Sequence, residues 1–316
     1  MNKSKELPQP ETASRSYVHL LMFMEILITL IFQFITLLLL FRVLFHRFAT
    51  QIKIQMSQCV IIYMFTNIIG SISTLPHHIY FVVFWKPITP SISVQLYDPY
   101  TLFWTGIVMI NYGFTLPVSV FFMTIERCLA LRFPAQYHSN KYIRQMVSAL
   151  PIILTIVWCL TVFVLLLLEL PLDESKAKYC LSVPCLLLKY HALQPSYMKI
   201  SLGSLNILCT SYFFYALRQF RKAHGNVGMV KNRIVIVTAL SEIIFNVFPY
   251  MLTVLLFHIT GESLSTTIGM VYVPMFAFDA MICAIFYNRI FLRKVTNSVT
   301  VIPHNVIRPQ VQDPVN

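Results

Sequence analysis

The chain has 316 residues, of which 57% are hydrophobic and only 11% are charged, and its mean hydropathy is +0.69. Soluble domains carry about 25% charged residues, so these figures exclude most soluble folds and predict a chain that hides its apolar surface in a lipid bilayer. The excess of 24 Lys and Arg over 12 Asp and Glu then bears on membrane topology, and nucleic acid is not expected as a partner.

Seven apolar segments, each long enough to cross a bilayer as a helix of roughly 20 residues, follow one another along the chain. They are Val18–Leu44, Gln58–Phe84, Tyr100–Leu131, Met146–Leu170, Tyr197–Leu217, Ile234–His258 and Ser265–Phe286. The predicted fold is therefore an all-α membrane protein, a seven-transmembrane helix bundle. We expect residues 1–17 to form an extracellular N-terminal segment, 18–295 the transmembrane domain and 296–316 a cytoplasmic tail.

The positive charges predict the orientation of this bundle. The connections after the first, third and fifth segments, together with the tail, carry 16 of the 24 Lys and Arg, and the opposite side carries 8. Cytoplasmic loops retain positive charge because its translocation is disfavoured. The amino terminus is thus predicted outside and the tail inside, in a multi-pass protein of the plasma membrane.

The third segment ends in a spaced motif. Glu126 and Arg127 are followed by Ala130, Pro134 and Tyr137, and Cys128 stands directly after the arginine. A Glu-Arg pair alone is also what many helices carry at the membrane edge. The whole pattern resembles the rhodopsin-like G-protein-coupled receptors, whose third helix ends in an acidic-Arg-aromatic triplet followed by Ala, Pro and Tyr at these spacings.

The resemblance implies a function for this motif. In that family the acid holds the arginine at rest and the arginine is released inward when the helices part, which opens a cleft for a heterotrimeric G protein. It implies a proline hinge in the sixth helix as well, at Pro249. The residues implied in switching and coupling are Glu126, Arg127, Pro134, Tyr137 and Pro249.

Elsewhere the sequence departs from the family. Val247 replaces the Trp that stands two residues before the hinge proline. The family's Asn-Pro-x-x-Tyr signature is missing, its nearest stretch being Phe278 to Asn288, and so are the acid of the second segment and the proline of the fifth. Asn288, Phe291, Arg293 and Lys294 resemble the start of the family's short amphipathic helix.

The outer cysteine of the third helix is also missing. Without it the family's usual bridge cannot form, which leaves Cys180 and Cys185 to pair with each other, to pair elsewhere or to stay free, and a local bridge is favoured.

This divergence, with 25 Phe, 16 Tyr and only 8 Gly, resembles a chemoreceptor branch more than hormone or amine receptors. The stretch from Lys231 to Ile290 is most similar to nematode serpentine chemoreceptors, with their class BC as the nearest branch. The resemblance implies a receptor in olfaction or another sensory perception, with sensory cilia as a candidate location.

The ligand pocket that the resemblance implies opens to the outside between the third, fifth, sixth and seventh helices. Its predicted walls are mostly apolar, so we expect a small neutral or hydrophobic ligand. For each residue of this predicted pocket, a role in packing the helix bundle is an equally good explanation. The pocket residues are Met109, Gly113, Leu116, Tyr250, Met251 and Val254.

Two acids, Glu242 and Asp279, lie deep within apolar segments, where an ionised carboxylate is costly unless it has a partner. Glu242 is expected to pair with Asn67 or Arg127 or to be protonated. Asp279 is a candidate for the switching core.

An ion channel or carrier that uses these two acids is the alternative function, although we find no inverted repeat or ring-forming charge pattern. An intramembrane hydrolase lacks a paired-Asp or Ser/His arrangement. The sequence therefore predicts no enzyme, no cofactor and no metal site. It predicts contact with membrane lipid and leaves the oligomeric state open.

Overall fold

The computed structural model describes residues 9–49, 56–87, 97–173, 177, 180–187, 193–225, 229–260 and 269–299. Seven long helices dominate this part of the chain, and no β-strand occurs in it. The helices are α1 Gln9–Ala49, α2 Gln58–Val83, α3 Pro99–Arg132, α4 Lys141–Leu167, α5 Leu193–His224, α6 with the consecutive parts Met229–Glu242, Ile243–Val247 and Phe248–Thr260, and α7 Tyr272–Val299. Two short helices, Pro134–Ser139 and Val183–Leu186, lie between them.

Each long helix contains an apolar segment sufficient to span a membrane. In the described residues these are Ser16–Ala49, Gln58–Val83, Pro99–Arg132, Lys141–Leu167, Ser196–Ala223, Asn232–Thr260 and Tyr272–Leu292. The predicted all-α seven-helix bundle is confirmed. We use "outer end" for the end that carries the start of α3 and "inner end" for the opposite one, following the orientation predicted from the charges.

Polar residues define where the helices begin. The Ser57 hydroxyl accepts a hydrogen bond from the backbone N–H of Val60 at the start of α2, and the Asp98 carboxylate accepts one from Thr101 at the start of α3. Asn140 caps α4 in the same way. Such caps satisfy N–H groups that have no partner within the helix, and each typically contributes about 1 kcal/mol.

The helix α3 runs through the middle of the bundle and is buried along most of its length. Pro117 lies within this continuous helix and supplies no N–H to the preceding turn. Two backbone carbonyls near the proline accept hydrogen bonds from neighbouring helices: Trp158 Nε1 donates to the Phe114 carbonyl at 3.0 Å, and Asn206 Nδ2 donates to the Pro117 carbonyl at 3.1 Å. The proline turn thereby fastens α3 to both α4 and α5.

A disulfide joins Cys180 to Cys185 in the connection between α4 and α5. It encloses Val183, whose side chain lies so close to α3 that a Cβ on Gly106 would meet Val183 Cγ2 at 1.9 Å. Glycine at position 106 therefore lets this outer connection pack directly on the α3 backbone.

The end of α7 differs from its prediction. The helix continues without interruption through Val299, so Asn288, Phe291, Arg293 and Lys294 belong to α7 and not to a separate amphipathic helix. The physical reason is local, because no glycine or proline stands between Met275 and Ile302 to end the helix.

Candidate functional site

The inner end of α3 carries a polar cluster around Glu126, which is only 2% exposed. Ser57, at the start of α2, donates a hydrogen bond to Glu126 Oε2 at 2.5 Å. Tyr137 donates its hydroxyl to Glu126 Oε1 at 2.7 Å. We call Ser57, Glu126, Arg127 and Tyr137 the inner cluster. It brings together the start of α2, the end of α3 and the short helix that follows.

Arg127 is held weakly in this cluster. Its side chain is 11% exposed, and the contact from its terminal nitrogen to Glu126 Oε1 is long, at 3.4 Å. Its Nε has no hydrogen-bond partner among the described residues. Because Ser57 and Tyr137 already donate to the Glu126 oxygens, the Arg127 guanidinium makes only a long contact with this carboxylate.

Pro134 determines where Tyr137 lies. The proline is the first residue of the helix Pro134–Ser139, where its fixed backbone angle favours helix initiation, and Tyr137 follows one turn later. Burial raises the pKa of the Tyr137 hydroxyl above its ordinary value, and the negative charge of Glu126 raises it further. The hydroxyl therefore stays protonated and keeps donating to Glu126.

A second cluster lies deeper in the bundle, around two carboxyl groups that are both fully buried. Glu242 of α6 and Asp279 of α7 face each other within side-chain hydrogen-bonding reach. Asn246 donates to Glu242 Oε1 at 2.7 Å, Ser241 donates to Asp279 Oδ1, and the Cys283 thiol also points at Asp279 Oδ1. We call Glu242 and Asp279 the acid pair.

One oxygen of each carboxyl group in the acid pair lacks a partner: Glu242 Oε2 and Asp279 Oδ2 have no hydrogen-bond partner in the described part of the chain. An ionised carboxylate only accepts hydrogen bonds, so two carboxyl groups can bond to each other only if one of them is protonated. A proton between these two oxygens would therefore satisfy both and would join α6 to α7.

Of the alternatives predicted for Glu242, the pairings with Asn67 and with Arg127 are wrong. Asn67 accepts a hydrogen bond from the Tyr112 hydroxyl at 2.9 Å and donates to the Tyr63 carbonyl, while Arg127 contacts Glu126. Glu242 instead accepts a hydrogen bond from Asn246, four residues later on the same helix, which is a spacing visible in the sequence. It also faces Asp279 of α7, and the sequence offers no spacing that relates α6 to α7.

The sixth helix changes geometry beside the acid pair. Residues Ile243–Val247 form a π-helical turn that ends two residues before Pro249. Proline lacks an N–H and its ring crowds the preceding turn, and a wider turn relieves both problems. The predicted hinge proline therefore coincides with a local irregularity, and the two buried residues of that turn, Asn246 and Val247, face the bundle.

Replacing Pro249 by alanine is expected to tighten this turn. Proline costs about 3 kcal/mol inside a regular helix, so amide hydrogen exchange at residues 243–250 should slow by about tenfold or more in lipid nanodiscs. Pro151→Ala in α4 is the control, since no π-helical turn precedes that proline in the described helix. Unchanged exchange in the Pro249 variant would mean that the proline does not cause the irregular turn.

The predicted pocket residues do not form one group. Met109 is buried in the core of the outer half, whereas Leu116 is fully buried in the core of the inner half. Gly113 and Val254 are half-buried. Met251 is 40% exposed, because it lies about 100° around α6 from the inward-facing Tyr250.

The structure adds a charged residue that the predicted pocket lacked. Lys199 of α5 is only 7% exposed, and its Nζ lies over the ring of Tyr250 at 4.4 Å and over the ring of Phe114 at 5.2 Å. The Tyr250 hydroxyl donates to Ser196, one turn before Lys199. The sequence shows Lys199 as the third residue of the fifth apolar segment. The charge count for topology assigns it to the outer side of the membrane, so its position inside the bundle was not predicted.

These features define a polytopic helical membrane protein with buried charged groups, the class that contains receptors and transporters. Comparison with protein-family models finds no match to the chain, and comparison with curated proteins finds none either.

Proposed function

We propose that the protein is a G-protein-coupled receptor, a chemosensory receptor in particular, whose inner cluster is the coupling switch. The carrying observation is the weak hold on Arg127: a buried guanidinium with a 3.4 Å contact to Glu126 and no partner for its Nε among the described residues. A group held this loosely moves to a new partner at little cost, and a switch needs two arrangements of similar free energy.

The position of the inner cluster supports the proposal. Glu126, near the end of α3, binds Ser57 at the start of α2 and Tyr137 of the helix Pro134–Ser139, so separation of these elements changes the surroundings of Arg127. The π-helical turn Ile243–Val247 gives α6 a place to bend. Ligand binding outside would then shift the population towards an arrangement that a heterotrimeric G protein binds from inside.

Basal nucleotide exchange tests this proposal without a known ligand. Glu126→Gln removes the negative charge that confines Arg127 and keeps an acceptor for Ser57 or Tyr137, so exchange on a panel of heterotrimers covering each Gα class should rise several-fold for one class. Adding Arg127→Ala to this variant should return exchange to the level of membranes without the protein.

Arg132→Ala is the matched control, since Arg132 is an exposed arginine in the last turn of the same helix. It should leave the raised exchange unchanged. If Glu126→Gln stays silent on every heterotrimer while the variant reaches the surface, or if Arg127→Ala keeps the raised exchange, the coupling role is refuted.

A carrier is the second candidate, and the acid pair favours it. Two buried carboxyl groups that face each other, each with one unpartnered oxygen, resemble a proton-binding site in the membrane interior. Proteoliposomes with an internal pH dye would detect proton flux that Glu242→Gln or Asp279→Asn abolishes. Such flux without any nucleotide exchange would favour the carrier over the receptor.

A further inference from the structure

Lys199 is a buried cation without a local counter-charge. No carboxylate of the described residues lies within ion-pair distance of its Nζ, and its contacts are the faces of Phe114 and Tyr250. Aromatic faces stabilise an ammonium group by a fraction of what burial costs. The site therefore favours an additional negative charge.

Glu242 only partly supplies that charge. It attracts Lys199 through space, but its carboxyl group is bound by Asn246 and by Asp279. It also stands eight residues before Tyr250 on α6, about 12 Å along the helix axis. The acid pair is thus engaged at a deeper level of the bundle than the aromatic rings that carry Lys199.

Open space lies beside these rings. A Cβ on Gly113 would meet no atom within 4 Å. On α3, Tyr112 points to one side, where it contacts α2 and α7, and Phe114 points to the other, where it contacts Tyr250. Gly113 lies between these two directions on the helix surface, so the space beside it faces the centre of the bundle.

The chemistry of the walls defines what fits this space. Phe114 and Tyr250 supply aromatic surface, and Lys199 supplies one buried positive charge. A single ammonium group is a point charge that suits a monoanion, whereas polyanions are usually bound by several cations or by arginine forks.

We propose that Lys199 anchors the carboxylate of an amphiphilic ligand whose apolar body fills the space beside Gly113. The assignment rests on the receptor function proposed above, and it replaces the neutral ligand expected from the sequence with a monocarboxylate. The ammonium group donates to the carboxylate, and the Phe114 and Tyr250 rings keep the ammonium oriented and water away.

Binding of decanoate and of its uncharged analogue decanamide to the full-length protein in lipid nanodiscs tests the anchor. We expect saturable decanoate binding that is about tenfold or more tighter than decanamide binding, because only the carboxylate forms a charge-assisted hydrogen bond with Lys199. Lys199→Gln should remove this preference and leave decanamide binding unchanged, while Lys199→Arg should retain a preference for decanoate.

Lys86→Gln is the matched control, since Lys86 is an exposed lysine at the outer end of the bundle. It should keep the preference for decanoate. Equal binding of decanoate and decanamide to the unmodified protein refutes the proposal, even if Lys199→Gln fails to fold. So does an unchanged preference in a folded Lys199→Gln protein.

The two proposals fail separately. A decanoate preference that depends on Lys199, with no nucleotide exchange in the Glu126→Gln protein, would leave the anchor standing and remove the G-protein function. Raised exchange in the Glu126→Gln protein, with decanoate binding unchanged by Lys199→Gln, would leave the G-protein function standing and remove the anchor.

Discussion

Asp279→Ala is expected to lower the free energy of unfolding by about 2–4 kcal/mol, whereas Asp279→Asn should cost much less. Alanine leaves the Ser241 hydroxyl without its acceptor and the Glu242 carboxyl without its partner, and all of these groups are buried. Asparagine keeps an oxygen for Ser241 and offers an N–H to Glu242. Thermal unfolding in detergent, followed by a thiol-reactive dye on the buried free cysteines such as Cys59 and Cys128, measures the difference.

The neutral variants separate a structural role of the acid pair from a switching role. If Asp279→Asn and Glu242→Gln keep both surface expression and nucleotide exchange, the acid pair holds α6 to α7 and takes no part in switching. If surface expression is kept and exchange changes, the acid pair contributes to the balance between two arrangements. Equal stability of the alanine and asparagine variants would show that the hydrogen bonds at position 279 contribute nothing.

The second large effect is expected at Gly70 of α2. A Cβ at this position would meet the ring of Tyr112 at 2.1 Å. Tyr112 cannot easily move aside, because its hydroxyl donates to Asn67 and its ring packs on Phe276. Overpacking of this kind typically costs about 1–3 kcal/mol, so Gly70→Ala should lower the thermal midpoint in spite of the better helix propensity of alanine.

Gly113→Ala is the control for that measurement. Both glycines lie inside helices, but a Cβ at Gly113 meets open space. Alanine there should be neutral or stabilising by up to about 1 kcal/mol through helix propensity. A Gly70 variant as stable as the Gly113 variant would mean that α2 and α3 are less closely packed than described.

The membrane-spanning segments were predictable because apolar length is a local property of the sequence. The second segment was predicted as Gln58–Phe84 and is Gln58–Val83, and the third was predicted as Tyr100–Leu131 and is Pro99–Arg132. The predicted start of the seventh at Ser265 lies outside the described residues, and the described helix begins at Tyr272.

The partners of buried polar groups were less predictable, since they depend on which helices adjoin. Glu126 next to Arg127 was visible in the sequence, but the contribution of Ser57 to the same carboxylate was not, because 69 residues separate them. Glu242 and Asp279 were recognised individually as costly residues in a bilayer. Their pairing required the packing of α6 against α7, and the inward position of Lys199 required the rotation of α5.

The last part of α6, Phe248–Thr260, contains no buried residue, in contrast to the enclosed and fastened α3. Tyr250 is bound to Ser196 and Lys199, but beyond it lipid tails are as apolar as most of the side chains that this part of α6 exposes, so exchanging their few protein neighbours for lipid is nearly neutral in free energy. The bilayer then acts as a solvent for the outer part of α6. Changing the acyl-chain length or saturation of the surrounding lipid should shift the resting tilt of this helix.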